Sequence, residues 1–417
     1  MPKNSKIFIQ IASYRDPQLL PTVKDCIENA DKPENLVFAI CWQRDEKESL
    51  GEYEKDPRFK IIDVPFAESK GACWARNRIQ QLYNNEEYTL QLDSHHRFIK
   101  GWDTTLIGMI KQLQKKGHKK PLLTSYIPSF DPDDDPKARV QEPWKMDFDR
   151  FIPEGAVFFL PSTIDEWRDL DSPLPARFYS AHFCFTLGKF AVEVQHDPEY
   201  YFHGEEISIA VRAYTHGYDL FHPHRVVAWH EYTRKGRTKH WDDNKHWVDY
   251  NNKCHKRNRV LFGMDGEDPK SIDFGIYGFG TERTLQEYEK YAGLLFKRRA
   301  IQQQTKDRLP PPNVGDFATD EEWEASFLSI FKHCIDIGYS QVPLDDYDFW
   351  AVIFKDADDN DIHRKDADEN EIRNMKSDPD KYCKVWREFN TPTRPAKWIV
   401  WPHSRSQGWC DMITGTL

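Results

Sequence analysis

Over roughly the first 260 residues, short apolar runs that stop at polar turns alternate with stretches whose apolar residues recur every three to four positions. Lys6 to Ala12 is β-branched and apolar, and it stops at Ser13-Tyr14-Arg15-Asp16-Pro17. Leu36 to Trp42 ends at Gln43-Arg44-Asp45, Phe59 to Val64 carries Asp63 near its end, and Tyr88 to Leu92 ends at Asp93-Ser94-His95-His96. Apolar runs of this length bounded by polar residues read as strands, and their near-continuous apolarity suits a sheet covered on both faces. Pro21 to Ala30 reads as a helix. So does the stretch after Ser69, which sets Ala72, Ala75, Ile79 and Leu82 on one face behind a serine cap. Trp102 to about Lys116 is a further helix, stopped by Gly117, and Leu122 to Tyr126 a further strand. Strands alternating with helices at this spacing predict an α/β fold with a mainly parallel central sheet and helices on both faces.

Arg177 to Leu187 continues the pattern as a strand, and an amphipathic helix follows that starts at Gly204-Glu205-Glu206 and ends at Gly217. Two short strands come next, the second ending at His230. Residues 231 to about 260 are basic and aromatic, with Arg234, Lys235, Gly236 and Arg237 close together, and read as a lid-like segment. Residues 281 to 306 read as a charged amphipathic helix, terminated by Leu309-Pro310-Pro311-Pro312-Asn313. Thr319 and Glu322 form a capping box for a helix carrying Trp323, Phe327, Ile330 and Phe331, and the rest alternates apolar runs with polar turns. The expected division is therefore a large domain over 1–306, a proline-rich linker over 307–318, and an accessory helix with a small C-terminal β-rich module over 319–417. Asp356 to Ile362 resembles a calcium loop, but Asp361 stands where such a loop needs glycine and Ala367 where it needs glutamate, so a hairpin turn is expected.

Composition narrows the partners. With 39% hydrophobic and 14% aromatic residues in 417, the chain can bury more than one core. A net charge of −10 argues against nucleic-acid binding, which needs a basic face. The eight cysteines are scattered without a Cys-x-x-Cys pair and several lie in apolar runs, as reduced core residues do. No apolar stretch approaches the ~18 residues of a membrane span, and the start of the chain runs straight into a strand. A cytoplasmic protein with no membrane span is expected.

In sheets of this kind ligands gather at the carboxyl ends of the strands. The polar residues at those ends are Ser13, Tyr14, Arg15 and Asp16, Gln43, Arg44 and Asp45, Asp63, and Asp93, Ser94 and His95. Neither a Gly-x-Gly-x-x-Gly fingerprint nor a phosphate loop accompanies them, so a bound nucleotide must have its phosphates neutralised by a metal and by side chains. Asp93 and His95, two apart at a strand end, project to one side. A carboxylate beside an imidazole suits Mn²⁺, Mg²⁺ or Zn²⁺. Arg76, on the helix before that strand, and Arg15 are the cations best placed for phosphate. Glu205 and Glu206 at a helix start have an ordinary explanation in the helix dipole.

Ser13-Tyr14-Arg15-Asp16-Pro17, Gly71-Ala72-Cys73-Trp74-Ala75-Arg76, Asp93-Ser94-His95, His203-Gly204-Glu205-Glu206 and Trp229-His230 occur in an order that resembles a GT-A glycosyltransferase. They most resemble the cytoplasmic family that adds N-acetylglucosamine to hydroxyproline of a ubiquitin-ligase subunit, itself similar to mucin-type polypeptide N-acetylgalactosaminyltransferases. The resemblance covers roughly residues 6 to 260. It implies a GT-A-like nucleotide-sugar-binding domain, Mn²⁺ or Mg²⁺ held by Asp93, His95 and His230, and a UDP-sugar donor, with UDP-N-acetylglucosamine expected. It places Glu205 and Glu206 by the donor sugar or acceptor as the catalytic pair, and implies transfer with retention to a hydroxyl of a protein or glycan. Glu206 departs from the mucin-type pattern, which has asparagine there. Among the sixteen histidines His230 is also the one that ends an apolar strand with a basic aromatic segment after it. Two other readings stay open: a hydrolase in which Asp93, His95, His96 and His230 hold a water-activating ion, and a non-catalytic carbohydrate-binding protein on the same fold.

Overall fold

The computed structural model describes residues 5–234, 236–313, 315–377 and 382–417. Lys235 of the lid-like segment and Val314 of the expected linker lie outside the described residues. The chain divides into two compact units, Met1–Lys297 with Gln304–Val314, and Arg298–Gln303 with Gly315–Leu417.

The first unit is built on an eight-stranded sheet. In chain order its strands are β1 (Ile7–Tyr14), β2 (Leu36–Arg44), β3 (Phe59–Pro65), β4 (Tyr88–Asp93), then β6, β9, β10 and β11, defined below. β3, β2, β1 and β4 lie side by side in that order and all parallel, in a register that pairs Trp42 with Asp63 and Ala12 with Asp93. Their polar ends therefore share one edge. β1 is apolar at successive positions because both of its faces are covered. Ile7, Ile9 and Ile11 pack with helix α1 (Leu19–Glu28) and helix α3 (Trp102–Lys115) on one side, while Phe8 packs with Ala75 and Ile79 of helix α2 (Ala72–Gln80) on the other. Each such side chain taken fully out of water contributes about 1.5–3 kcal/mol.

Beyond β4 the sheet is mixed. β5 (His96–Phe98) leaves it, and β6 (Pro121–Thr124) returns to it. An antiparallel hairpin, β7 (Trp144–Phe151) with β8 (Val157–Thr163), stands apart from the sheet and interrupts the strand–helix rhythm. After the two-residue β9 (Leu174–Pro175), β10 (Phe183–Leu187) runs antiparallel between β4 and β6, with Phe183 opposite Leu92. β11 (Asp219–His222) is parallel to β6. The expected mainly parallel sheet is thus present, with β10 as its inserted antiparallel member. β12 (Ala228–His230) pairs antiparallel with β5 in a separate ribbon that sets His230 opposite His96.

Several boundaries differ from expectation. The N-cap of α2 is Gly71, not Ser69, whose hydroxyl instead accepts the Gly71 N–H at 3.2 Å. The helix expected over 281–306 is broken: it runs over Leu285–Ala292, where Gly293 takes a left-handed conformation (φ 64°) and turns the chain out of it, and only the single turn Gln303–Lys306 is α-helical again. Trp247–Phe262, in the lid-like segment and just beyond it, is a sixteen-residue helix. Leu309 and Asn313, in the proline-rich stretch, accept hydrogen bonds from the buried Arg177 guanidinium within the first unit.

In the second unit only half of the capping box forms: Thr319 Oγ accepts the Glu322 N–H at 3.2 Å, while the Glu322 carboxylate accepts the Ala318 N–H at 2.8 Å rather than that of Thr319, and the helix spans only Asp320–Ala325. Phe327, Ile330 and Phe331 belong instead to the strand Phe327–Gly338, which pairs antiparallel with Tyr382–Thr391 over ten positions. Aromatic and β-branched residues at close spacing fit a strand better than a helix. Tyr347–Lys355 pairs with Lys397–Ser404 and turns back at Asp356 into Asp361–Arg364, the expected hairpin. The core of this unit holds Trp350, Val352, Phe354, Val385 and Val400. No helix among the described residues is long and apolar enough to cross a membrane, and no disulfide joins any of the eight cysteines.

Candidate active site

At the end of β4 the chain breaks out of the sheet at Ser94 and re-enters a strand at His96, which leaves Asp93 and His95 at the edge. The β5–β12 ribbon brings the third group. His230 Nε2 lies 3.5 Å and His95 Nε2 3.7 Å from Asp93 Oδ2, and one ligand atom from each of the three residues falls within 4.8 Å of the others. Both nitrogens of the buried His230 lack a hydrogen-bond partner among the described residues. Leaving such groups unmet in a protein interior is costly, and a cation between the imidazoles and the carboxylate satisfies them. The donor set fits Mn²⁺ or Mg²⁺ with nitrogen and oxygen ligands. Burial opposes ionisation of Asp93, but the neighbouring His230, Arg76 and His95 hold its carboxyl well below the usual range. Burial pushes His230 well down, so the ring is neutral and offers a lone pair. His182 stacks on it at 4.2 Å between centroids and Tyr232 packs edge-on at 4.3 Å, which fixes the plane of a ring that no hydrogen bond orients.

Arg76, buried on α2, joins this triad to the two glutamates. Its guanidinium donates to Asp93 Oδ1 at 2.9 Å and to Glu205 Oε1 at 3.0 Å. Glu205 and Glu206 open the helix Glu205–Thr215 behind Gly204, whose φ of 97° suits glycine and whose added Cβ would stand 3.2 Å from Asn258 Cγ. Glu206 Oε1 accepts the Ala181 N–H at 2.8 Å and Oε2 the Tyr126 hydroxyl at 2.9 Å. The arginine is committed to the other two carboxylates. Burial and the adjacent Glu205 push Glu206 up to about 8, so it is largely protonated at neutral pH although it keeps some exposure to the cavity. That cavity, ≈ 340 Å³, is lined by Arg76, Asp93, Glu205, Glu206 and His230, with Tyr126, His182 and Tyr232 among the walls and Phe158 and Phe159 of β8 closing one side.

The remaining expected site residues lie along the same sheet edge. Ser13 is fully buried, and its hydroxyl has no partner among the described residues. Tyr14 and Arg15 both donate to Asp243, at 2.7 and 2.8 Å. Tyr14 also lines a smaller cavity of ≈ 110 Å³ with Gln43, Gly71, Tyr201, His240 and Trp241. Asp63 is exposed and bound bidentately by Arg44, apart from both cavities. Ser94 donates to Asp16 at 2.6 Å. The sequence places Asp16 among the polar residues of this edge but gives it no role, and it does not single out Tyr126, His182 or Tyr232. Asp16 stands inside a recognised motif, but nothing in its spacing announces that it turns inward; Tyr126 and His182 enter from other parts of the chain, and Tyr232 lies just beyond a strand end.

The chain belongs to the Glycosyltransferase (GlcNAc) family, whose profile matches residues 6–56 and 55–298. The resemblance to N-acetylglucosamine transferases thus holds at the level of the family. Similar solved structures are remote. GalNAc-T7 with UDP, GalNAc and Mn²⁺ is 15% identical, over 68% of this chain and 56% of that one, with a TM-score of 0.48. S. aureus TarS 1–349 is 10% identical over 64% and 77%, with a TM-score of 0.37. The mannosyltransferase PcManGT from Pyrobaculum calidifontis, in complex with GDP-Man and Mn²⁺, is 12% identical over 57% and 60%, with a TM-score of 0.36. The match thus spans little more than half of the GalNAc-T7 chain. No curated protein matches the sequence.

Proposed function

We propose that the protein transfers N-acetylglucosamine from UDP-N-acetylglucosamine to a hydroxyl of a protein or glycan, with retention of configuration, in a cytoplasmic setting. The observation that carries this reading is the half-buried Asp93 gathered with the buried His95 and His230 beside a cavity that Glu205 and Glu206 also line, in a chain of a GlcNAc transferase family. Asp93, His95 and His230 would hold Mn²⁺ or Mg²⁺, which would supply positive charge to the donor diphosphate. The acceptor oxygen bonds to the anomeric carbon as the bond from that carbon to the diphosphate breaks; UDP departs with the electron pair, and its phosphate oxygen takes up the hydroxyl proton.

The chain's own residues divide the remaining work. Arg76 keeps Asp93 ionised and oriented, and adds a cation to the cavity wall. Glu205 and Glu206 face the sugar and the acceptor. Glu206, protonated, donates a hydrogen bond that an ionised carboxylate could not, as the amide of an asparagine would. Ser13, Tyr14, Arg15 and Ser94 form the nucleotide side, for which support comes from the aromatic cavity beside Tyr14; Asp63, tied to Arg44 apart from that cavity, gains no such support. The eight cysteines, none joined by a disulfide, support a reducing compartment.

Thermal unfolding with a panel of UDP-sugars tests the reading. UDP-N-acetylglucosamine with Mn²⁺ raises Tm more than UDP-glucose or UDP-N-acetylgalactosamine does, and a chelator removes the increment. Equal stabilisation by all three donors would contradict the donor assignment.

A further inference from the structure

We infer that Asp16 is the positioning residue of the cation site: its carboxylate fixes the tautomer and plane of His95 so that Nε2 carries the lone pair offered to the ion. The inference rests on the reading of Asp93, His95 and His230 as the metal ligands. Asp16 follows Arg15, whose φ of 45° lies in the left-handed region that non-glycine residues rarely adopt. That turn sends Arg15 outward to Asp243 and Asp16 inward, where it is 5% exposed.

Each oxygen of the inward carboxylate is engaged. Oδ1 accepts the Gln18 N–H at 2.9 Å. Oδ2 lies 2.6 Å from Ser94 Oγ, 2.7 Å from His95 Nδ1 and 3.2 Å from Arg237 Nη1. Arg237 Nη1 also lies 2.5 Å from His95 Nδ1 and 3.0 Å from Nε2; a guanidinium only donates, so with Nδ1 protonated its N–H goes to Asp16 Oδ2 and to Nε2, the place an ion would take. Two acceptors 2.7 Å apart with no proton between them would repel strongly, so the proton sits on Nδ1 and is donated to Asp16. Nε2 is then the acceptor, and it is the nitrogen that faces Asp93. A carboxylate behind a ligating imidazole also raises the basicity of the ligand nitrogen. Ser94, the residue between the two ligands Asp93 and His95, is tied to the same oxygen, so one carboxylate fixes the whole turn.

The test uses the full chain with Mn²⁺ alone, its free concentration followed by electron paramagnetic resonance, and ¹⁵N NMR of the histidines in the metal-free protein. Asp16→Ala weakens Mn²⁺ binding by about 10–100-fold, the range for such outer partners. Asp16→Asn, which keeps the shape and an acceptor oxygen, falls between it and the native chain and serves if the alanine variant does not fold. The His95 ¹⁵N shifts report a protonated Nδ1 in the native chain and a mixture of tautomers in Asp16→Ala. A purely structural role would lower Tm and leave Mn²⁺ affinity unmoved. Folded variants that bind Mn²⁺ as tightly as the native chain overturn the role of Asp16 alone, as does a native His95 protonated on Nε2. A native chain that binds no Mn²⁺ overturns the metal reading and this inference with it.

Discussion

His230 stands opposite His96 in the antiparallel β5–β12 ribbon, and this register brings its imidazole 3.5 Å from the Asp93 carboxylate. A shift of one residue would put Trp229 there and turn His230 to the other face. The site therefore depends on a two-strand ladder outside the main sheet. His230→Ala should leave the fold intact, since one buried ring of a large core is lost, and weaken Mn²⁺ binding by roughly 100-fold or more, as loss of one of three protein ligands does. Titration of the variant with Mn²⁺ checks this.

Asp93 carries the charge of the triad. Asp93→Asn preserves shape and removes that charge, so turnover should fall by about two orders of magnitude or more while the unfolding midpoint stays close to native. Near-normal turnover in a folded Asp93→Asn protein would remove the carboxylate from the metal set.

Arg76 spans Asp93 and Glu205 from a buried position. Removing one partner of a buried ion pair leaves uncompensated charge and costs about 3–5 kcal/mol. Arg76→Met should lower the urea midpoint by a corresponding amount, and Arg76→Met combined with Glu205→Gln should recover part of the loss. A double variant no more stable than the single one would mean that Arg76 is held by packing rather than by charge.

Glu206 gives a pH dependence with a definite sign. Its carboxyl titrates near 8 in the folded protein, against the ordinary glutamate value near 4.5. Between those values the folded state holds the proton that the unfolded state has released, so this group's contribution to stability declines as pH rises from about 4.5 to about 8. Glu206→Gln cannot titrate. The Tm of the native chain should therefore fall relative to that of Glu206→Gln as pH is raised over this window, and parallel curves would show that Glu206 is ionised throughout.

Residues 304 to 313 belong with the first unit, since Arg177 donates to the Leu309 carbonyl and to Asn313. A chain ending at Asn313 should bind UDP-sugar as the whole chain does. One ending at Thr305 strips the acceptors from a buried guanidinium and should unfold at lower temperature. Loss of donor binding in the Asn313 truncation would give the second unit a part in the site.

The four parallel strands were legible because each is covered on both faces and each ends in a polar turn. Asp93, His95 and His230 were legible because each sits where an apolar strand stops. The antiparallel entry of β10 was not, since an apolar run such as Phe183–Leu187 carries no mark of its direction. The β7–β8 hairpin was missed because its strands mix charged and aromatic residues without clean alternation. Phe327 to Phe331 satisfied a helical spacing for one turn, and only the ten-position pairing with Tyr382–Thr391 makes it a strand. Asp16 shows the limit most plainly. Its role depends on a left-handed turn at Arg15 and a contact 79 residues away, neither of which spacing can express.

A crystal structure of the full chain with Mn²⁺ and UDP tests whether Asp93, His95 and His230 together hold the cation that serves the donor diphosphate. One ion is expected, with an Asp93 oxygen and a nitrogen from each of His95 and His230 at about 2.0–2.3 Å, and with diphosphate oxygens on its open side. An ion bound elsewhere, or His230 left beyond hydrogen-bonding distance of it, would contradict this assignment.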